Sequence, residues 1–542
     1  MTAIELRGDA VDERSAPPTP PASRQGRVPK RGPGRVARPG FGLGGRAALV
    51  GAVAGVIGYL GAGVPSYWGD EAASVLSAQR PWSSLALELS QVDAVHGAYY
   101  ALLHLWIDAF GAGEWSTRAL SSIATGLMAA GVVVLGTRWF DARVGVAAGL
   151  IVAVLPRVTG LAIEARSYAL AAAAAVWLTV LFTGLQRRRV VSRRAWIGYG
   201  IAVAACGALF FYLLLMPLVH AVALVAAHRR PPAQLVRRWL IGLVVGAMLV
   251  LPLVLLDASQ REQVAFLAHR HQPTAANVLG GQWFGGPLVA VPMQLLVVAA
   301  VVGAVVAPRA LRARALRALA PALTWLVWPT AALLVVSVAV APSYNPRYLV
   351  FSAPAAAIVA AVGLATIADR AASWLARRRG PRATSPRLVA AGLVLLALAA
   401  LPGYLHQRTP YAKDGGADFR QTAAVLGHEA SPGEAVLFGA SGRPSRAPRL
   451  AAGLYPAEFQ GLETPQLDVP HTARAAIWDE LDPVAATAPG LDEPIVWLIE
   501  RPSAHHVADD LAALASAGYR VTDHQPIHRL AVYRLEKGTA AP

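Results

Sequence analysis

The chain has 542 residues, 55% of them hydrophobic and 15% charged, with a mean hydropathy of +0.45. That much apolar surface cannot be buried by a soluble domain, so the composition excludes a soluble protein and implies a polytopic membrane protein. The formal net charge is +17, but the basic residues fall in short clusters between apolar segments. That is the pattern of membrane topology rather than of nucleic-acid binding, and no nucleic-acid partner is expected.

Residues 1–44 are rich in Pro, Gly and Arg and nearly free of large apolar side chains. They read as a disordered, basic, cytoplasmic tail. No cleavable signal peptide is expected, because the first apolar segment starts after this tail and is followed by functional-looking sequence. The first span is expected near 47–64, running outward. The stretch to Glu114 is then external, with helical spacing at 70–79, 83–91 and 96–110 in segments that would lie along the membrane surface. Spans follow near 116–137, 143–156 and 167–185. Residues 195–227 are too long for one helix and carry a polar and aromatic break at Phe210–Tyr212, so they divide into two spans. Further spans are expected near 238–256, 287–307, 319–341, 348–368 and 388–404. This gives about eleven spans over a 45–404 membrane domain, with an arginine cluster in each cytoplasmic loop and the C-terminus outside. Cys206 is the single cysteine, within an apolar run, so there is no intramolecular disulfide framework.

The composition changes from about Tyr404. Residues 405–542 hold 12 Lys and Arg against 17 Asp and Glu, whereas the rest of the chain holds 37 against 15. Apolar runs shorten to strand length at 435–439, 494–500 and 529–535, with helical patterns at 418–428 and 506–517. This alternation predicts a small extracytoplasmic α/β domain.

The chemistry concentrates in P-S-Y-W-G-D-E, directly after the first span. Adjacent carboxylates at a membrane boundary are costly and mark a functional site. Asp70 and Glu71 are the candidate catalytic bases; the structural alternative for Asp70 is a helix cap. In E-A-R-S-Y, Glu164 and Tyr168 are spaced to share a helix face around Arg166, and a local salt bridge is the competing reading. Arg347, in Y-N-P-R-Y-L, suits bidentate contact with a phosphate, or snorkels to the interface. Tyr344 and Tyr348 flank it. His96 and Tyr99 are candidates for binding substrate, and His96 for a divalent cation, although no strong metal-ligand spacing is present. Gln260, Glu262, His269 and His271 form a weaker external group. The aromatic residues Trp68, Trp82, Tyr99, Tyr100, Trp106 and Trp115 fit an interfacial belt, with sugar stacking open for one or two.

W-G-D-E, D-A-V-H-G-A-Y-Y-A-L-L-H-L-W, G-E-W-S-T-R-A-L-S-S, E-A-R-S-Y-A-L, P-R-Y-L-V-F-S-A-P and D-F-R-Q-T-A-A-V-L occur in that order. Over roughly residues 45–440 the chain resembles actinobacterial membrane mannosyltransferases, similar to glycosyltransferase family 39 and the wider GT-C class. The resemblance implies an all-α polytopic GT-C fold, a polyprenyl-phosphate sugar donor, an external active site and inverting transfer. It places Asp70 on the proposed base, Glu71 on its acidic neighbour, Glu164 and Arg166 on a second-loop motif, and Arg347 on the arginine facing the lipid phosphate. His96 falls on a His-Pro-Pro motif in which Gly97 and Ala98 replace the prolines. A divalent cation is left open, since members of the class differ.

The expectation is therefore a multi-pass plasma-membrane enzyme that transfers mannose to an envelope glycan, glycolipid or protein on the outer face. Arabinofuranosyl transfer is the alternative within that class. A lipid-linked sugar transporter or flippase would place ionisable groups near the bilayer midplane instead. A non-catalytic scaffold gives no reason for three charged motifs on one face.

Overall fold

The structure, a computed structural model, describes residues 42–188, 191–260, 273–339, 343–379 and 384–538. The basic tail before Gly42 lies outside the described residues, as do Glu262, His269 and His271. From Gly42 the chain forms one compact unit. Its first part is helical: α1 (Leu43–Tyr59), α2 (Gly69–Ala78), α3 (Trp82–Gln91), α4 (Gly97–Phe110), α5 (Glu114–Trp139), α6 (Ala142–Val154), α7 (Pro156–Ala162) and α8 (Tyr168–Gln186). There follow α9 (Arg193–Leu209), α10 (Met216–His228), α11 (Ala233–Ser259), α12 (Pro287–Val305), α13 (Arg309–Ala339), α14 (Ala353–Arg379) and α15 (Ser385–His406).

Among the described residues eight helices are long and apolar enough to cross a membrane, nine if the α6–α7 pair is one span bent by 63°. The other two stretches read as spans are helical but shorter: α1 and α9 have 17 residues each. The break near Phe210 is an extended residue followed by a 3₁₀ turn over Phe211–Leu215. α7 replaces the expected loop after the third span; Pro156 at its first position starts a new helix at an angle to α6. Close packing uses glycine: a Cβ on Gly200 in α9 would stand 2.0 Å from the Gly242 carbonyl oxygen in α11. Small residues at such crossings let apolar helices approach when hydrophobicity cannot drive them together. Outward-facing Met248, Val335 and Leu395 remain 65–69% exposed, as lipid-facing residues would be.

The bundle has two unlike ends. α5 carries Arg118 near its start and Arg138 in its last turn, separated by roughly 30 Å at 1.5 Å per residue. At the Arg138 end, Arg143 binds Asp369 at 2.7 Å and Ser385 Oγ at 2.6 Å, and Arg187 donates to the Arg138 carbonyl at 2.6 Å. At the Arg118 end lie α2–α4 and the C-terminal region.

That region contains α16 (Phe419–Glu429), β1 (Ala435–Phe438), α17 (Leu450–Leu454), β2 (Leu467–Val469), β3 (Glu480–Leu481), α18 (Val484–Thr487), β4 (Ile495–Glu500), α19 (Val507–Ser516), β5 (Tyr519–Pro526) and β6 (Ala531–Lys537). The main sheet has the order β1-β4-β6-β5; β1 and β4 are parallel and the other pairs antiparallel. β5 had no counterpart among the expected strands. It is an edge strand whose side chains are mostly exposed, so its sequence lacks an apolar signature.

The sheet region roofs the first loop. Tyr67, Ala72, Val75, Leu76 and Ala165 share one core with Phe419, Leu426, Val436 and Trp497. Tyr455 Oη donates to Glu114 Oε1 at 2.5 Å, and Ser84 Oγ to the Thr472 carbonyl at 2.6 Å. Where α2 begins, the roof comes so close that only glycine fits. A Cβ on Gly69 would lie 2.0 Å from the Ser445 carbonyl oxygen, a backbone atom that cannot rotate away. Gly69→Ala is expected to cost about 1–3 kcal/mol by overpacking, read as a lower melting temperature of the purified protein.

Candidate active site

Three segments meet at the Arg118 end: the start of α2, the turn at 163–167 between α7 and α8, and the 3₁₀ turn Pro346–Ser352 that leads into α14. Asn345 caps this last turn by accepting from the Arg347 N–H at 3.0 Å, which fixes where Arg347 leaves the backbone. Its guanidinium lies 4.3 Å over the Trp68 ring, donates to Asp70 Oδ2 at 3.1 Å and stands 3.9 Å from Glu164 Oε1. Trp68 itself is the N-cap of α2 and provides no side-chain cap. The Asp70 carboxylate reaches across to Arg347, so the helix-cap reading is replaced by a long-range pair.

Arg166 supports the same point from beneath. It donates to the Asp70 carbonyl at 3.2 Å and to Ser74 Oγ at 3.1 Å, and its Nη2 meets His96 Nε2 at 2.9 Å. Arginine can only donate, so His96 Nε2 accepts and the imidazole is neutral. Burial, followed by the charge of Arg166, lowers the His96 pKa to about 4. His96 thus holds Arg166, and its Nε2 is not open to a metal. For Asp70, burial raises the carboxyl above its ordinary range, while Arg166 and Arg347 pull it down. Its side chain keeps 38% of its surface open, enough for a substrate atom to approach.

Glu71 points the other way, into the protein, with no exposed surface. Arg118 donates to both of its oxygens, Nε to Oε1 at 2.8 Å and Nη2 to Oε2 at 2.7 Å, and the Ala165 N–H donates to Oε1 at 2.8 Å. Lys413 Nζ is 3.9 Å from Oε2. Burial alone would raise the Glu71 pKa; Arg118, Lys413 and the Ala165 N–H outweigh it and lower it. In this arrangement Glu71 ties α2 to α5 and to the 163–167 turn.

Glu164 and Tyr168 do not share a helix face, because residues 163–167 form a turn and α8 starts at Tyr168. Among the described residues, the buried Glu164 Oε1 meets no hydrogen-bond donor. Tyr168 packs edge-on against Phe210, and Tyr348 stacks on Tyr212 at 5.2 Å. Tyr99 is fully buried beside Tyr100, and Tyr344 donates to Gln282 Oε1 at 3.2 Å. All four tyrosines, Tyr99, Tyr168, Tyr344 and Tyr348, pack in the walls, and none of them lines the cavity beside Arg347. Gln260 braces the first loop, accepting from the Ala94 N–H and donating to the Leu89 carbonyl, both at 3.0 Å.

A cavity of about 180 Å³ opens beside Arg347 and Glu164, lined also by Arg157, Ile163, Gln407 and Lys413. Sequence reasoning missed Arg157, Arg118 and Lys413. Lys413 carried a usable signal: it is one of only three lysines in a chain whose basic residues are otherwise arginine. Its Nζ donates to the Ile163 carbonyl at 2.6 Å, and burial, opposed by Glu71 and Glu164, lowers its pKa to about 8. Asp70 and Glu164 both face Arg347, and His96 faces Arg166. Among the described residues the side chains around Arg347 and Arg166 bring no three His, Cys, Asp or Glu ligand atoms to a common point.

The fold is that of the GT-C class of membrane glycosyltransferases, and the chain is a multi-pass membrane protein. It is similar to ArnT from Cupriavidus metallidurans in the apo state, with a TM-score of 0.54 and 16% identity over 90% of this chain and 97% of ArnT. With ArnT bound to undecaprenyl phosphate the TM-score is again 0.54, at 18% identity and the same coverage. The Archaeoglobus fulgidus oligosaccharyltransferase in complex with Zn and sulfate gives 0.49, at 11% identity over 89% of this chain and 72% of that one. No protein-family model and no curated protein sequence matches the chain.

Proposed function

We propose that the protein is a membrane glycosyltransferase that moves a sugar, mannose in our reading, from a polyprenyl-phosphate donor to a cell-envelope glycan, glycolipid or protein. The observation that carries this is the Asp70–Arg347 pair beside a cavity lined by Arg157, Arg347, Lys413 and Glu164. Asp70 accepts the proton of the acceptor hydroxyl as its oxygen attacks the anomeric carbon. The bond from that carbon to the phosphate oxygen breaks, and the polyprenyl phosphate leaves. Arg347, Arg157 and Lys413 hold the charge that develops on it. Glu164 Oε1, an acceptor without a donor, suits a sugar hydroxyl. Glu71 and Arg118 position the loop, as His96 positions Arg166.

The undecaprenyl phosphate bound in the ArnT structure supports the lipid donor. The motif order in the sequence supports mannose and membership of glycosyltransferase family 39. The arginines at the far end of the bundle support a cytoplasmic N-terminus and an extracytoplasmic site under residues 405–542. Charged groups gathered at one end of the spans, rather than at their middle, favour an enzyme over a transporter.

The test is transfer of labelled mannose from synthetic polyprenyl-phosphate-mannose to a membrane glycolipid extract by the purified protein. Transfer establishes the donor; failure with mannose but transfer from the arabinose donor moves the assignment to arabinofuranosyl transfer. A pH series tests the phosphate site. Lys413 loses its charge as the pH passes about 8, so donor affinity is expected to fall there. Lys413→Gln is expected to raise the donor KM at neutral pH roughly 10-fold, the loss of one charged hydrogen bond, and to remove that limb of the profile.

A further inference from the structure

The carboxyl ends of the parallel strands β1 and β4 form a second polar cluster, apart from the site above. β4 ends in Glu500, whose side chain is fully buried; among the described residues its carboxylate makes no well-formed hydrogen bond, and the polar groups it faces are the adjacent Arg501 N–H and the Asp510 carboxyl. A buried carboxylate in that state is costly unless a cation completes it. Two side chains face it. His506 Nε2 lies 3.8 Å from Glu500 Oε2 and is itself buried without a hydrogen-bond partner among the described residues. Asp510 stands one turn along α19, and its N–H donates to the His506 carbonyl at 2.9 Å, so the i, i+4 spacing puts both on one face. One ligand atom from each of the three lies within 4.8 Å of the others. The backbone leaves room for this: a Cβ on Gly439, just after β1, would stand 1.9 Å from Glu500 Oε2.

We propose that Glu500, His506 and Asp510 bind a divalent transition-metal ion that ties the start of α19 to the end of β4. One imidazole nitrogen with two carboxylates suits Zn²⁺ or Mn²⁺ better than an ion that seeks thiolates or an all-oxygen shell. Ligand bonds of about 2.0–2.2 Å place donor atoms roughly 3–4 Å apart, and the 3.8 Å separation of His506 and Glu500 already falls in that range. His506 is about one-third exposed and gives the ion a way in.

The experiment uses the full chain in detergent, stripped with a chelator and dialysed first against Zn²⁺ and then against Mn²⁺. Bound metal and melting temperature are the readouts, so sugar transfer plays no part. Wild type is expected to carry about one equivalent more metal than Glu500→Gln or His506→Gln, and to melt higher with the ion than without it. Asp70→Asn is expected to keep that equivalent, which separates this site from any ion at the catalytic end. Equal metal content in wild type and both variants overturns the proposal. So does metal-free wild type with Glu500→Gln melting no lower. If Glu500→Gln does not fold, the partly exposed His506→Gln carries the comparison.

Discussion

Asp70→Asn is expected to lower sugar transfer by roughly 10²–10⁴-fold while leaving the protein folded, the range for loss of a positioned general base. Asparagine keeps the shape of the side chain and can still accept from Arg347 through its amide oxygen, but it cannot take a proton at neutral pH. The Asp70–Arg347 pair is one-third exposed on each side, so breaking its charge attraction costs little stability, about 0–1 kcal/mol. Single-turnover transfer, measured with the melting temperature of the same sample, separates the two effects. Wild type should also lose activity on the acid side as Asp70 is protonated. Because burial raises its pKa, with Arg166 and Arg347 opposing, that limb should lie above the ordinary aspartate value of about 4. Full transfer by a folded Asp70→Asn protein would remove Asp70 from the reaction. Glu71 would not inherit the role, since no part of it reaches the surface.

The helices and the polar convergence could be read from the sequence because both leave local marks. Long apolar runs, arginine clusters and a carboxylate pair after a span do not depend on tertiary context. Asp70, Glu164, Arg166 and Arg347 are each conspicuous as charges beside apolar helices, and the structure brings all four together. What residue type and spacing could not separate was Asp70 from Glu71; only the family resemblance ranked them. Adjacent residues at the start of a helix point about 100° apart, and only the packing of α5 decides which one is buried. Arg118 was hidden for the same reason: an arginine one turn into a span reads as an interfacial residue until Glu71 and three backbone carbonyls are seen around it. Lys413 joins the site from the segment after α15, where no spacing rule links it to residue 71. β5 and the two short strands β2 and β3 carried no periodic signal because they bury almost nothing.

The largest effect on stability is expected from Arg118→Met. The guanidinium donates to both oxygens of Glu71 and to the carbonyls of Ala62, Pro65 and Ser66, all within 3.2 Å. Removing it strands a buried carboxylate that keeps only the Ala165 N–H and the more distant Lys413, and it leaves the three carbonyls short of a donor. The expected loss is about 3–5 kcal/mol, the range for breaking one side of a buried ion pair. Replacing both partners removes the stranded charge, so Glu71→Met/Arg118→Met should melt above Arg118→Met alone. That ordering is the check, because a pair that only filled space would give losses that add. Acid titration provides a second one. The Glu71 pKa is lowered on folding, so its contribution is present above the unfolded value of about 4.3 and is lost as the pH falls through the folded value. Wild type should therefore lose stability in acid more steeply than Glu71→Gln does. A variant at position 118 that keeps the wild-type melting temperature would mean that α2 is held by the C-terminal roof rather than by α5. The Asp70 carboxylate would then owe its position to the Gly69–Ser445 contact and to Arg166.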